Sequence, residues 1–199
     1  MDMSEIRIKT VYGNELQEYT ADLARLRIKV FREYPYLYDG TFEYESKYLA
    51  TYISCPLAMA VLVFDNEKVI GASTGIPLAY ETDEFKAPFL KAGMRPEDIF
   101  YCGESVLQKE YRGRGLYKEF FAGRENYART LGDIRTLAFC GVVRPESHPL
   151  KPRGYKPLDD IWSYFGYRPL EGVLTHFNWQ DIDQKEQTLH PMQYWVKDL

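Results

Sequence analysis

The segment Val106-Leu107-Gln108-Lys109-Glu110-Tyr111-Arg112-Gly113-Arg114-Gly115-Leu116 joins a β-rich run to an amphipathic helix through a turn that carries two glycines. Residues 99–107 favour a strand, and residues 116–131 carry apolar side chains at helical spacing. A helix N-terminus presents free backbone N–H groups and the positive end of the helix dipole. Gly113 and Gly115 lack a Cβ, so phosphate oxygens can approach their backbone closely. The segment therefore predicts a cradle for a pyrophosphate-sized anion.

Charge around this turn supports the same prediction. Between Lys109 and Arg129 six basic residues face three acidic ones, in a chain whose net charge is −4. The P-loop pattern is absent, and Lys118 stands where a dinucleotide fingerprint needs its third glycine. An ordinary surface turn with charged residues at a helix start is the alternative.

The turn resembles the acyl-CoA-binding signature of the GNAT superfamily of N-acyltransferases. That signature has Gln or Arg, then Gly three positions later, then Gly or Ala two positions after that. Arg112, Gly115 and Tyr117 occupy these positions, and Tyr117 departs from the pattern. Gly166-Tyr167 resembles the end of the family's fourth helix, where Trp162 replaces a common Tyr. The order of the predicted elements along nearly the whole chain is also the GNAT order.

The resemblance implies one α/β domain over residues 1–199, with three layers (α/β/α) around a mixed, mostly antiparallel sheet. The sequence patterns predict helices near residues 14–30, 43–53, 84–92, 116–131 and 158–165. They predict strands near 5–12, 58–64, 69–76, 99–107, 136–143, 168–177 and 192–197. If the terminal strand Met192–Lys197 lies at a sheet edge, it could pair with a second copy, which makes a homodimer possible.

The resemblance further implies an acyl-CoA-dependent N-acyltransferase that moves acetyl from acetyl-CoA to a primary amine by direct attack in a ternary complex. Acetyl-CoA is the expected donor, and a different acyl group is a weaker alternative. By the same resemblance, Val106 and Leu107 bond the pantetheine arm. The remaining predicted donor-binding residues form the turn: Arg112, Gly113, Arg114, Gly115, Leu116 and Tyr117. The loop 144–156 is basic and is expected to approach a phosphate of the donor.

Two residues are candidates for proton transfer. Glu104 is the only carboxylate between Ile99 and Gln108, and strand alternation places it on one face with Cys102 and Val106. It is predicted to act as the base or to bind the amine; a salt-bridged glutamate is the alternative. Tyr164 is the candidate acid for the leaving thiolate, since Trp162 cannot donate an acidic proton, and core packing is its alternative.

The acceptor side is predicted from tyrosines that follow the first helix. Tyr36 and Tyr38 lie in the segment that borders the acceptor site in GNAT proteins, although core packing of some of these side chains is equally compatible with the pattern. The net charge of −3 over residues 81–104 would attract a cationic acceptor, or it marks a solvated face. The acceptor is expected to be a small-molecule amine or a peptide amine. A catalytically silent acyl-CoA-binding module is the alternative function.

Composition excludes several other classes of protein. The chain has 29 acidic and 25 basic residues and no long basic run, which disfavours nucleic-acid binding. The longest apolar run, residues 57–64, is too short for a bilayer span, and the first five residues have no signal-peptide features. A cytoplasmic protein is therefore expected. The three cysteines lack metal-ligand spacing, so free thiols and no metal site are predicted.

Overall fold

Eight strands form one sheet in the computed structural model, which describes residues 5–199. The order is β1-β2-β3-β4-β6-β8-β7, with β5 paired beside β3. The parallel pair is β4 with β6, and the other neighbours are antiparallel, so the prediction of a mixed, mostly antiparallel sheet is confirmed. The strands are β1 Ile6–Tyr12, β2 Met59–Asp65, β3 Lys68–Pro77, β4 Ile99–Tyr101, β5 Ser105–Leu107, β6 Thr136–Val142, β7 Arg168–Gln180 and β8 Gln187–Asp198.

Helices cover both faces of the sheet. Leu23 and Leu49, from the first two α-helices, belong to the core on one face, whereas Phe120 and Phe121 belong to the core on the other. The predicted three-layer arrangement is therefore confirmed. The α-helices are α1 Thr20–Phe31, α2 Phe42–Ser54, α3 Asp83–Lys91, α4 Tyr117–Thr130 and α5 Asp159–Tyr164. The predicted first helix differs at its start, where Gly13–Tyr19 is a 3-10 helix.

The strand predicted over residues 99–107 is broken into β4 and β5. β4 pairs with β3 and β6, whereas β5 pairs with β3 only, so the sheet opens between β5 and β6. Gly103 lies at the break, and a Cβ there would come within 2.2 Å of the Tyr52 hydroxyl. Because alternation is lost at the break, Cys102 packs on the α4 face and Val106 on the α1 face. The prediction that Cys102 shares a face with Val106 is wrong.

The terminal strand is not at an edge. β8 lies between β6 and β7, and both of its sides are paired. The sheet edges are β1 and β7. The pairing of β8 with a second copy is therefore ruled out, because the chain's own β7 occupies the position where that copy would bind.

Within residues 5–199, none of the helices has both the length and the apolar character needed to cross a bilayer. Residues 1–4, which belong to the start judged to lack signal-peptide features, lie outside the described residues.

Candidate active site

A cavity of about 870 Å³ lies where the end of α1, strand β5, the glycine turn and α5 meet. A second cavity of about 70 Å³ continues from it into the opening between β5 and β6. Five residues line both: Phe31, Tyr36, Ser105, Tyr117 and Leu158. The two cavities therefore form one groove that runs from the protein surface to the break in the sheet.

The glycine turn forms one wall of the larger cavity. Gly113 has a φ of 75° and Gly115 a φ of 77°, which other residues adopt only with strain. A Cβ on either would meet no atom within 4 Å, so the space in front of the turn is open. At the N-cap position of α4, Leu116 supplies no side-chain acceptor. The first N–H groups of α4 therefore lie without helical partners beside this space.

Strand β5 offers backbone groups to the groove from alternate residues. The N–H of Gln108 donates to the carbonyl of Ile70, and the carbonyl of Glu104 accepts from the N–H of Thr74. In this antiparallel register the even-numbered residues 104, 106 and 108 therefore direct their peptide groups toward β3. Val106 shares this orientation, so its peptide groups are already paired, which corrects the prediction for that residue. Ser105 and Leu107 instead direct their peptide groups toward the groove.

Arg112 links the glycine turn to β5 and to Glu33 through its side chain. Its Nε donates to the carbonyl of Leu107 at 3.0 Å, and its Nη atoms donate to the carboxylate of Glu33 at 2.7 and 3.1 Å. Arg112 and Glu33 both line the larger cavity. The side chain of Arg114 turns away from it, because its Nη2 donates to the carbonyl of Glu110 at 3.0 Å, so the backbone N–H is the group of Arg114 left for the predicted contact.

Glu104 lines the smaller cavity and is only 4% exposed. Its Oε2 accepts from Nη1 of Arg27 at 2.6 Å and from the Tyr48 hydroxyl at 3.1 Å, while Oε1 has no partner. Arg27 also pairs with the buried Glu45. Glu104 is therefore salt-bridged, as the alternative interpretation held, and its Oε1 is buried without a hydrogen-bond partner.

Burial and charge set the protonation states around Glu104. Burial opposes the charge of Arg27, but Glu104 and Glu45 raise the pKa of its guanidinium well above the ordinary value. Burial, with the charge of Glu104, raises the pKa of the Tyr48 hydroxyl well above its usual range. Tyr48 is therefore a neutral donor to a carboxylate that Arg27 keeps paired.

No protein-family model matches the chain, and no curated protein matches it either. Solved structures do. An acetyltransferase from Thermus thermophilus has 14% identity and a TM-score of 0.58, covering 99% of this chain and 100% of its own. Arabidopsis thaliana NAA60, solved with a bisubstrate analogue, has 12% identity and a TM-score of 0.60, covering 97% and 99%. A GNAT-family acetyltransferase from Streptococcus pneumoniae has 15% identity and a TM-score of 0.59, covering 98% and 100%.

The chain has the GNAT fold. At these identities the similarity is one of fold, and it confirms at that level the resemblance seen in the glycine turn.

The two tyrosines predicted to border the acceptor site lie in different environments in this GNAT fold. Tyr36 lines both cavities. Tyr38 is buried with Trp179 and Met192 and lines neither cavity, so its predicted contact with an acceptor is corrected to core packing. Tyr164 is 84% exposed and lies on the wall of the larger cavity, away from Glu104.

The loop 144–156 contacts the segment that carries Tyr36 and does so through Arg144. Arg144 pairs with Asp181 at 2.7 and 2.8 Å and donates to the carbonyls of Pro35 and Tyr36. This corrects the expectation that Arg144 approaches a phosphate, since its donors hold the loop that carries Tyr36. Lys156, at the other end of the loop, does line the larger cavity.

Several buried charged residues escaped the sequence analysis, among them three near Glu104. Arg27 and Glu45 had not been singled out, and Glu81, counted as part of an acidic run, is buried instead of solvated. The signal was present in the helices, because Arg27 lies four residues after Leu23 and Glu45 four before Leu49 on the apolar faces.

Proposed function

We propose that the chain is an acetyl-CoA-dependent N-acetyltransferase acting on a primary amine. The observation that carries this proposal is the meeting of the open glycine turn, the uncapped start of α4 and the groove-facing peptide groups of β5 at one groove. The similar structures support it, since they are acetyltransferases and that of NAA60 has also been solved with acetyl-CoA.

Separate parts of the groove would hold separate parts of the donor. The N–H groups from Gly113 to Tyr117 suit the pyrophosphate, because several donors and the helix dipole converge there. The peptide groups of Ser105 and the N–H of Leu107 suit the amides of the pantetheine arm, as a strand would pair with them, whereas the Leu107 carbonyl already accepts from Arg112. The thioester then lies toward the smaller cavity and supplies an activated acyl carbon.

Glu104 is the proposed base. In a direct transfer the amine nitrogen bonds to the acyl carbon, the C–S bond breaks, and sulfur leaves with the bonding electrons. The nitrogen must also lose a proton, and Glu104, whose Oε1 is unpartnered, is the carboxylate residue that lines the smaller cavity. Arg27 and Tyr48 would hold this carboxylate in place through its other oxygen.

Charge on the α1 side of the break favours a cationic acceptor. Glu45, Glu81 and Glu104 are buried there with Arg27 as the cation that pairs with two of them. An ammonium group would be attracted to this excess of carboxylate. The acceptor is proposed to be a small-molecule or peptide amine that reaches the groove past Tyr36.

Calorimetric titration with acetyl-CoA and with free CoA tests donor binding directly. Micromolar binding, followed by thiol release when amines are added, is the expected result. Absence of binding would refute the proposal. The pairing of Glu104 with Arg27 favours a second candidate, a silent acyl-CoA-binding module, which would bind the donor but release no thiol with any amine.

A further inference from the structure

Arg124 is a buried cation beside the smaller cavity. It lies on α4, is 3% exposed and lines the smaller cavity. Its Nη1 donates to the Ser105 hydroxyl at 2.8 Å, its guanidinium lies 4.9 Å from the centre of the Phe121 ring, and its Nε has no partner. Across residues 5–199, no carboxylate oxygen lies within 4.0 Å of it.

The other deeply buried guanidinium groups are paired. Arg27 has Glu45 and Glu104, and Arg144 has Asp181. A buried cation without a counterion is strongly unfavourable, so proteins seldom retain one unless an anion binds beside it during function. Arg124 therefore marks a place where negative charge is expected during function.

The groups packed around Arg124 do not provide that charge. Burial raises the pKa of the Cys102 thiol beside β4 and of the Tyr167 hydroxyl before β7. Burial also raises the pKa of Tyr117 on α4 and of Cys140 on β6, the latter to about 12. These four groups are therefore neutral near neutral pH.

The two carboxylates nearest in the sequence or the cavity are directed elsewhere. Glu125, the next residue on α4, pairs with Lys197 at 2.8 Å. Glu104 pairs with Arg27 on the opposite face of the sheet. The smaller cavity is thus bordered by a carboxylate on the α1 side and, on the α4 side, by a cation that forms no ion pair within residues 5–199.

We propose that Arg124 is a catalytic residue that stabilises the CoA thiolate as it leaves. This inference rests on the proposed function. When the amine nitrogen bonds to the acyl carbon and the C–S bond breaks, sulfur takes the electron pair, and the amine proton goes toward Glu104. A fixed cation in a site shielded from water stabilises such a developing charge without reorganising.

The placement of the candidate acid supports this assignment. Tyr164 is exposed on the wall of the larger cavity, and Trp162, which lines the smaller cavity, has no acidic proton. With Arg124 present, sulfur can leave as the thiolate and take a proton from water after release. The chain then needs no side-chain acid at this position.

The size of the cavity argues against the other anion that Arg124 could bind, a carboxylate on the acyl group. A cavity of about 150 Å³ accommodates the six carbons of benzene. By that ratio 70 Å³ accommodates about three heavy atoms, which matches acetyl, whereas a succinyl group has more than twice as many.

The ionisation of bound CoA tests the proposal without any turnover. An ordinary thiol has a pKa of about 8.5, and a cation at close range lowers that of a neighbouring acid by about one to three pH units. Ultraviolet absorbance of the thiolate, followed against pH for CoA bound to the protein, reports this value. We expect it to fall by at least about one pH unit in the wild-type protein. Desulfo-CoA supplies the baseline.

Two substitutions locate the effect. Arg124→Met should return the pKa of bound CoA to its free value, and Arg124→Lys, which keeps the charge, should retain part of the shift. Arg129→Met, on an exposed position of the same helix, is the matched control and should change nothing. Circular dichroism establishes whether each variant folds. If Arg124→Met does not fold, a wild-type pKa of bound CoA equal to that of free CoA would still refute the proposal.

Three results would overturn the inference. Bound CoA with the pKa of free CoA in the wild-type protein would refute the role of Arg124 alone, since the donor would still bind. Preference for succinyl-CoA over acetyl-CoA, lost in Arg124→Lys, would assign the guanidinium to a carboxylate instead. Failure of the wild-type protein to bind either CoA or acetyl-CoA would overturn this inference together with the proposed function.

Discussion

Arg27 and Glu104 form a buried ion pair that crosses from α1 to the break in the sheet, with Nη1 of Arg27 2.6 Å from Oε2 of Glu104. The same guanidinium binds Glu45, which does not line the groove. Two carboxylates therefore share one cation, and the one that can reach a ligand is Glu104. This difference separates a chemical role for Glu104 from a structural one.

Glu104→Gln is expected to lower kcat by about a hundredfold or more, because general-base catalysis commonly contributes that much. Affinity for acetyl-CoA should remain, since Gln still hydrogen-bonds Arg27. Glu45→Gln is the matched control, because it removes the same charge from the same guanidinium outside the groove. Steady-state kinetics on both variants check the prediction, and equal losses in the two would show a purely structural effect.

Glu81 should make stability depend on pH. Burial raises the pKa of its carboxyl above the ordinary 4.5, so the folded chain holds this proton more tightly than the unfolded chain. Its contribution to the free energy of unfolding is therefore greatest below about pH 4.5 and is lost as pH rises through the folded pKa. Glu81→Gln carries no charge at any pH.

The variant should consequently gain stability relative to the wild-type protein as pH rises toward neutrality. Urea unfolding of both proteins across this range measures the difference. Glu97→Gln, at an exposed position, should run parallel to the wild-type protein. If Glu81→Gln also ran parallel, the carboxyl would titrate normally and the argument from its burial would be wrong.

Gly103 allows the hydroxyls of α2 to approach the sheet. A Cβ there would lie 2.2 Å from the Tyr52 hydroxyl and 2.8 Å from that of Tyr48. Gly103→Ala should therefore reduce the free energy of unfolding by about 1–3 kcal/mol through overpacking. Adding Tyr52→Phe removes the nearest oxygen and should recover part of the loss. Denaturant unfolding of both variants tests this, and an unchanged Gly103→Ala protein would contradict the described packing.

Tyr164 lies on the wall of the larger cavity, away from Glu104. Tyr164→Phe is therefore expected to leave kcat nearly unchanged. A side-chain acid contributes typically about a hundredfold or more, which makes the test decisive. Steady-state kinetics at several pH values are the measurement. A large loss of kcat, with the loss of one limb of the pH profile, would restore Tyr164 as the acid.

The part of the site that could be read from the sequence is contiguous. A phosphate cradle needs a strand, glycines and a helix start in immediate succession, and residues 106–116 contain all of them. The paired charges could not be found in this way, since Arg27 and Glu104 lie 77 residues apart and only the packing of α1 on the sheet brings them together. Strand order is equally non-local, which is why the sequence left open whether the terminal strand lies at an edge.

Two other differences follow from burial. β-propensity runs through residues 99–107, and the available sign of the break was Gly103, an isolated glycine in a strand pattern that the Tyr52 hydroxyl approaches closely. Arg124 was counted among the basic residues of the turn and helix, yet it lies four residues from both Phe120 and Ala128 on the buried face of α4. That spacing was the available signal.

Calorimetric titration of acetyl-CoA into the Gly115→Ala and Gly132→Ala variants tests donor binding at the turn most directly. Gly132 has a φ of 76° and open space around it, as Gly115 does, but it follows the other end of α4. Both substitutions therefore impose the same backbone strain, and the account predicts that only Gly115→Ala loses micromolar binding. Retention of wild-type affinity by Gly115→Ala, or equal loss in both variants, would contradict it.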